Sequence, residues 1–359
     1  MGILRFLLAI SVVLNHSSSI FGFNLVGGQV AVQAFYIISG FYMSLILNEK
    51  YIGINNSYKL FITNRLLRLY PLYWIVFLFT VLISIVVIVY SNGTKFGYFD
   101  NYVLYFEKMD IVSLIFLVFT NLFLFLQDTV MFLGLDTITG DLFFTSDFHN
   151  TSPMLYQFLF IPQAWTIGVE ITFYLIAPFI VRQKLINIFI LILLSISLRV
   201  LLSNYGFNAD PWSYRFFPTE LVFFLLGIIA YHIYKKYQFR KVNKIYLISI
   251  LTLITGITII YSFINLEWKY YYYLFLFFIS LPFIFILTKK WKRDAYIGEL
   301  SYPIYISHMF MLTILSALKL TKIGNLGLIL SFSTILFAII ANQLVTKSIE
   351  KIRQKRIQS

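Results

Sequence analysis

The chain has 359 residues, 60% of them hydrophobic and only 12% charged, with a mean hydropathy of +0.83. Soluble domains carry about twice that charge fraction, so the composition excludes an ordinary soluble enzyme or nucleic-acid-binding domain and indicates a polytopic membrane protein. The formal charge of +13 is then read as basic loops held at one membrane face, and the absence of cysteine excludes disulfides, thiolate metal sites and a cysteine nucleophile.

A crossing takes about 20 apolar residues. In chain order, spans are predicted at 3–21, 30–47, 70–90, 164–181, 185–203, 218–234, 244–264, 270–288, 301–318 and 326–346. The expected fold is an all-α, polytopic membrane helical bundle of about ten transmembrane helices. It forms a single membrane-embedded domain over 1–359, with no soluble domain. The first run is too long for a signal-peptide core and lacks a small-residue cleavage site, so it is read as a retained helix. A shorter apolar piece at 111–127 is read as a re-entrant or interfacial segment in preference to an eleventh crossing.

Loop charge sets the sidedness. Basic clusters fall in 48–69 (Lys50, Lys59, Arg65, Arg68), 235–244, 289–293 and the tail after Lys347. Alternating crossings put all four on one side, with both termini in the cytoplasm. The stretch 128–163 then lies outside, and it holds Asp128, Asp136, Asp141 and Asp147 with no Lys or Arg.

Within the first span, Arg5 and His16 are eleven residues apart. That spacing advances about 16 Å and leaves only about 20° of rotation, so the two share a face. His16 is expected well inside the membrane, where an ionisable group faces a cavity or a partner rather than lipid. Glu170, in WTIGVEITFYL (165–175), is expected at a similar depth, either in a structural ion pair or beside His16 to orient an imidazole acting as a base.

Ser39 and Gly40, in FYIISGF (35–41), read as close helix packing, with a serine nucleophile as the alternative. Arg65 and Arg68, in RLLRLYP (65–71), stand one turn apart and either clamp phosphates or anchor the chain to anionic lipid. Arg215 and Glu220, in RFFPTELVFFLLG (215–227), either bind a polar acceptor or pair with each other. His308, in GELSYPIYISH (298–308), lines a passage or satisfies a backbone carbonyl. No glycine-rich phosphate loop, metal-spaced cluster or G-x-S-x-G elbow is present.

Taken in order from residue 5 to about 310, these blocks resemble the bacterial acyltransferase family 3 membrane proteins, which O-acylate lipopolysaccharide, capsule, peptidoglycan and other surface glycans. The resemblance implies that Arg5 and His16 are the family's first-helix arginine and essential histidine. It places the arginine pair that holds acyl-CoA on Arg65 and Arg68. The Trp-Ser-Leu…Glu block falls on Trp165 and Glu170, with Thr166 where Ser is usual, and the Ser-Tyr…His block on Ser301, Tyr302 and His308. Tyr36 replaces the second Phe of a Phe-Phe pair, and Thr172 stands where Gln is common. No fused extracytoplasmic domain follows, so transfer is expected to be completed alone or with a separate partner.

The expected function is therefore transmembrane O-acyl transfer, acetyl most of all, from cytoplasmic acetyl-CoA or another acyl-CoA. The acceptor is a hydroxyl of an envelope carbohydrate such as O-antigen, capsule or exopolysaccharide, lipid-linked or free. His16 and Glu170 are assigned to catalysis and Arg5, Arg65 and Arg68 to the donor. Ser39, Trp165, Arg215, Glu220, Tyr302 and His308 are assigned to the acceptor or the passage. No metal and no nucleic acid are expected, and the surroundings are the lipids of a bacterial cytoplasmic (inner) membrane. A glycan exporter or flippase, or a proton-coupled permease using His16 and Glu170 as a relay, are the alternatives.

Overall fold

The computed structural model describes residues 1–53 and 56–358 and is helical almost throughout. The helices are α1 (Gly2–Asn15), α2 (Gly27–Glu49), α3 (Tyr58–Tyr90), α4 (Asp100–Tyr105), α5 (Ile111–Phe123), α6 (Trp165–Ile180), α7 (Leu185–Asn204), α8 (Phe217–Tyr237), α9 (Lys244–Ile260), α10 (Lys269–Thr288), α11 (Lys292–Glu299), α12 (Ser301–Ala317), α13 (Leu326–Ala341) and α14 (Lys347–Gln358). Among the described residues, nine helical segments are long and apolar enough to cross a membrane, and α1 and α5 are apolar but shorter. The all-α polytopic bundle expected from the sequence is the observed architecture. A short antiparallel hairpin, β1 (Leu133–Leu135) with β2 (Leu142–Phe144), interrupts it.

Four boundaries depart from the sequence reading. α1 stops at Asn15 rather than 21: Ser18 and Ser19 bond to Gly327 and Asn325 instead of continuing the helix, and Phe21 and Gly22 adopt left-handed backbone. α3 starts at Tyr58, well before the predicted 70, and carries Pro71 inside it; its first turns are too polar for an apolar window to register. Arg65 and Arg68 therefore stand on a helix and not in a loop. The 111–127 piece is a 13-residue helix, about 20 Å long against a hydrocarbon thickness of about 30 Å, which suits a re-entrant segment. Finally, the basic tail is helical, joined to α13 by one π-helical turn, Asn342–Thr346.

The chain divides into two compact units, whose boundaries fall within α3, α6, α7 and α8. The first comprises Met1–Leu69, Tyr174–Leu194 and Leu221–Ser359. At its centre α1 packs against α2, α11, α12 and α13, with Ala9, Ile10, Val13 and Leu14 meeting Leu300, Ile304, Leu315, Leu330 and Ala338. In the same unit α2 and α8 cross at two glycines. A Cβ on Gly40 would lie 1.9 Å from the Phe224 carbonyl oxygen, and one on Gly227 would lie 2.1 Å from that of Ile37. Close packing was the favoured reading of FYIISGF, and the backbones do approach that closely.

The second unit comprises Tyr70–Phe173 and Ser195–Glu220. Here α5 ends at Leu124, in left-handed conformation, and its last carbonyls need donors. The YPLYW segment of α3 supplies them: the Tyr70 hydroxyl donates to Phe123, the Tyr73 hydroxyl to Asn121, and Trp74 Nε1 to Leu122 at 2.9 Å. The buried Asn121 side chain ties the same turn to the chain before α6. It donates to the carbonyls of Leu117 and Phe158 and accepts from Phe160 N. At the other end of α5, Asp110 caps Val112 N, and Ser113 Oγ donates to Gly140 of the hairpin turn.

Candidate functional site

The two ends of α1 organise the candidate residues of the first unit. At its start, Asp294 of α11 accepts from the backbone N–H groups of Gly2 (2.7 Å) and Ile3 (3.0 Å). A carboxylate from another helix thus satisfies two of the donors that a helix N-terminus leaves open, and it complements the positive end of the dipole. Arg5, one turn on, donates from Nη2 to Ser301 Oγ at 2.9 Å, and Ser301 Oγ in turn donates to the Gly298 carbonyl. The expected block Ser301-Tyr302…His308 therefore meets α1 at Arg5.

At the other end stands His16, the residue that closes α1. Its neighbours are tied on both sides. Asn15 Oδ1 accepts from Gly28 N at the start of α2, and Ser11 Oγ from Val26 N. On the far side Ser18 Oγ accepts from Gly327 N, and Asn325 Nδ2 donates to the Ser19 carbonyl while its Oδ1 caps Leu328 N. The start of α2 and the start of α13 thus hold the turn carrying His16. Ser18, Ser19 and Asn325 had no signal in the sequence beyond belonging to a polar run next to an apolar one.

His16 is exposed, because α1 ends before the residue is enclosed by its neighbours. The His308 ring lies 5.1 Å away between centroids, tilted by 35°. His308 is 0% exposed, its Nδ1 bonds the Tyr305 carbonyl at 2.6 Å, and its Nε2 has no hydrogen-bond partner. With a carbonyl against Nδ1, the proton belongs on Nδ1, which leaves Nε2 a lone pair. Of the two readings given for it, His308 meets the second by bonding the Tyr305 carbonyl, and its ring stands beside that of His16. Arg5 with Ser301 at one end and His16 with His308 at the other means that α1 and α12 run parallel.

Arg65 and Arg68 sit in the cytoplasm-assigned half of α3. Arg65 is only 4% exposed, too buried for a simple interfacial anchor, while Arg68 is half-buried. The Tyr302 hydroxyl donates to the carbonyl of Leu69, next to Arg68, at 2.7 Å. Ser39, on α2, is buried beside Gly40.

The second unit holds the remaining candidates. Arg215 and Glu220 do not pair with each other. Arg215 grips Asp210 with Nε and Nη2, at 2.7 and 2.9 Å, and lies 4.3 Å from the centroid of the Trp165 ring. Glu220, 0% exposed, takes Arg199 at 2.6 Å. Arg215 lies in the turn before α8 while Glu220 stands in that helix's first turn, so the two face different neighbours. Asp210 and Arg199 were not singled out in the sequence, and neither lies in a block with a recognisable pattern. Trp165 and Arg215 do come together, and Trp165 also meets Tyr214 edge-on at 4.9 Å. Glu170 is half-buried on α6 in this unit, while His16 belongs to the first.

A family model described as an acyltransferase domain matches residues 1–343. An uncharacterized protein of Aquifex aeolicus (strain VF5) is 27% identical over 204 residues, covering 54% of this chain and 89% of that protein. No solved structure matches the chain. The match over residues 1–343 spans every candidate residue above, and the chain belongs to the acyltransferase family 3 of multi-pass membrane proteins.

Proposed function

We propose that this acyltransferase moves an acyl group, acetyl foremost, from cytoplasmic acyl-CoA to a hydroxyl of an envelope carbohydrate at the outer side of a bacterial cytoplasmic membrane. The observation that carries the reading is the exposed His16 ring beside the buried His308, on the helix whose opposite end holds Arg5. An imidazole at that place is reachable by substrate and held by its neighbours on both sides, as a general base needs to be.

His16 takes the proton of the acceptor hydroxyl as its oxygen attacks the thioester carbonyl. The C–S bond then breaks, and the leaving thiolate of coenzyme A recovers that proton from the imidazolium. The products are an O-ester and free coenzyme A. Arg5, Arg65 and Arg68 serve the donor, and Glu170 is kept as the second candidate catalytic group. Ser39, Trp165, Arg215, Glu220, Tyr302 and His308 are kept as the candidates for the acceptor or the passage. The acceptor is a free or lipid-linked glycan, and a separate extracytoplasmic protein is the partner this scheme admits.

The test uses inside-out vesicles carrying the wild type, His16→Ala or Arg68→Ala, supplied with labelled acetyl-CoA and the candidate glycan. Alkali-labile label on the glycan in wild type alone is the expected result. Glycan moved across the membrane without label, or equal labelling by His16→Ala, would overturn the proposal.

A further inference from the structure

The C-terminal helix α14 returns to the start of α3 and brings two more guanidinium groups with it. Arg353, 6% exposed, donates from Nε to the carbonyl of Asn64 at 2.9 Å, and Arg356 donates from Nη2 to Thr63 Oγ1 at 2.9 Å. Asn64 is the residue before Arg65, so four arginines (65, 68, 353 and 356) gather over two turns of α3. Among the described residues, neither Arg65 nor Arg68 forms an ion pair, and Arg65 Nε is buried without a hydrogen-bond partner. Among the described residues the carboxylate bonded within the group is Glu350, which is engaged by Arg353 Nη1 and also accepts from Gln354.

Arg353 thus lies within electrostatic reach of Arg65 and Arg68, and both Arg65 and Arg353 are more than nine-tenths buried. Taking an uncompensated charge out of water costs several kcal/mol, and like charges at this range repel. A fold keeps such a cluster where a polyanion completes it, and planar guanidinium forks match phosphate oxygens two at a time. Asn64 Nδ2 is already bonded to the Tyr51 hydroxyl at 3.1 Å, while Arg65 Nε remains a buried donor without an acceptor.

We infer that Arg353 and Arg356 of α14 join Arg65 and Arg68 in one binding site for a phosphate-bearing anion, so that the C-terminal helix closes the donor site. The nucleotide phosphates of acyl-CoA are the occupant if the donor reading above is right, on which this assignment rests; an anionic lipid headgroup offers the same chemistry. Arg353 and Arg356 lie beyond residue 343, where the family match ends, so the site extends past the shared domain.

The experiment measures binding of coenzyme A and of pantetheine, which lacks the phosphates, to the full-length protein in detergent. Lipid retained from nanodiscs with and without phosphatidylglycerol is measured alongside. The variants are Arg65→Gln, Arg353→Gln, Arg356→Gln and Arg353→Lys, the last keeping the charge and the helix contact should Arg353→Gln fail to fold. The expected result is coenzyme A binding weakened about tenfold by Arg353→Gln and less by Arg353→Lys, a shallower salt dependence, and pantetheine binding unchanged. Loss with Arg65→Gln but none with either α14 variant overturns the inference and leaves the donor reading standing. Retained phosphatidylglycerol that is lost in Arg353→Gln, with no coenzyme A binding by the wild type, supports the phosphate site and overturns the donor reading. Neither ligand responding to any variant overturns both.

Discussion

His308 lies 5.1 Å from His16, ring to ring, yet one imidazole is exposed and the other wholly enclosed. The enclosed ring is pinned through Nδ1 to Tyr305, so its position is set by α12 itself, and what it contributes to the exposed one is a fixed neighbour. A base that touches substrate and a neighbour that positions it fail differently. His16→Ala is expected to reduce acyl transfer to background, a loss of at least about 10²-fold. His308→Gln, which keeps a polar side chain of similar reach, is expected to lower kcat by about tenfold with KM for acetyl-CoA unchanged. Initial rates of label transfer in vesicles, normalised to folded protein, check both.

The α2–α8 crossing is a matter of folding. Gly40→Ala places a methyl group 1.9 Å from a backbone oxygen, where no side-chain rotation relieves the clash. The helices must separate, and Phe41 and Phe224, both fully buried, lose their packing. The expected cost is several kcal/mol, seen as lost folded yield on size-exclusion chromatography. Ser39→Ala, one position away, is expected to keep both the yield and most of the activity.

Much of this was legible because lipid simplifies the code. A crossing helix must satisfy its backbone internally, so apolar length alone located nearly every span, and the ordered blocks named the family. What the sequence hid lies where a polar group is satisfied across a long separation in the chain. Asp294 at the start of α1, Asn325 against Ser19 and Arg353 against Asn64 are each about 290 residues or more from their partners. Each reads locally as a charge or amide in a loop. Hydropathy does not show the early end of α1, because it tolerates Ser18 and Ser19, whose bonds to Asn325 and Gly327 take the chain out of the helix.

Tyr73 offers a test of how α5 is held. Its hydroxyl serves the buried carbonyl of Asn121 at a helix end with no intrahelical donor. Tyr73→Phe removes that donor without changing shape, leaving an unsatisfied buried acceptor at a cost of about 1–3 kcal/mol. Hydrogen exchange at the amides of α5 should rise in this variant. The amides of α12, in the other unit, should not change.

Asp294 caps α1 from another helix, so its loss should act at a distance in sequence. Asp294→Ala frees the N–H groups of Gly2 and Ile3, at about 1 kcal/mol for a cap of this kind. Arg5, one turn away, loses register with Ser301. The expected result is a Tm lower by a few degrees together with a KM for acetyl-CoA raised several-fold. Asp294→Asn, which keeps an acceptor oxygen, is expected to recover most of both.

Asp128 carries the pH prediction. It lies just after α5, outside the spans, with Oδ1 buried and unpartnered, and burial pushes its carboxyl up to about 7. In the unfolded chain the group titrates near 3.8. Between these values the folded protein holds a proton that the unfolded chain has released, so stability falls as pH rises from about 4 to about 7 and then levels off. Asp128→Asn removes the titration while keeping the shape. The variant should therefore melt several degrees above wild type at pH 8 and close to it at pH 4, with a flatter curve between. Melting curves across that range in one detergent decide it, and parallel curves for the two proteins would mean that the Asp128 carboxyl is not held protonated by its surroundings.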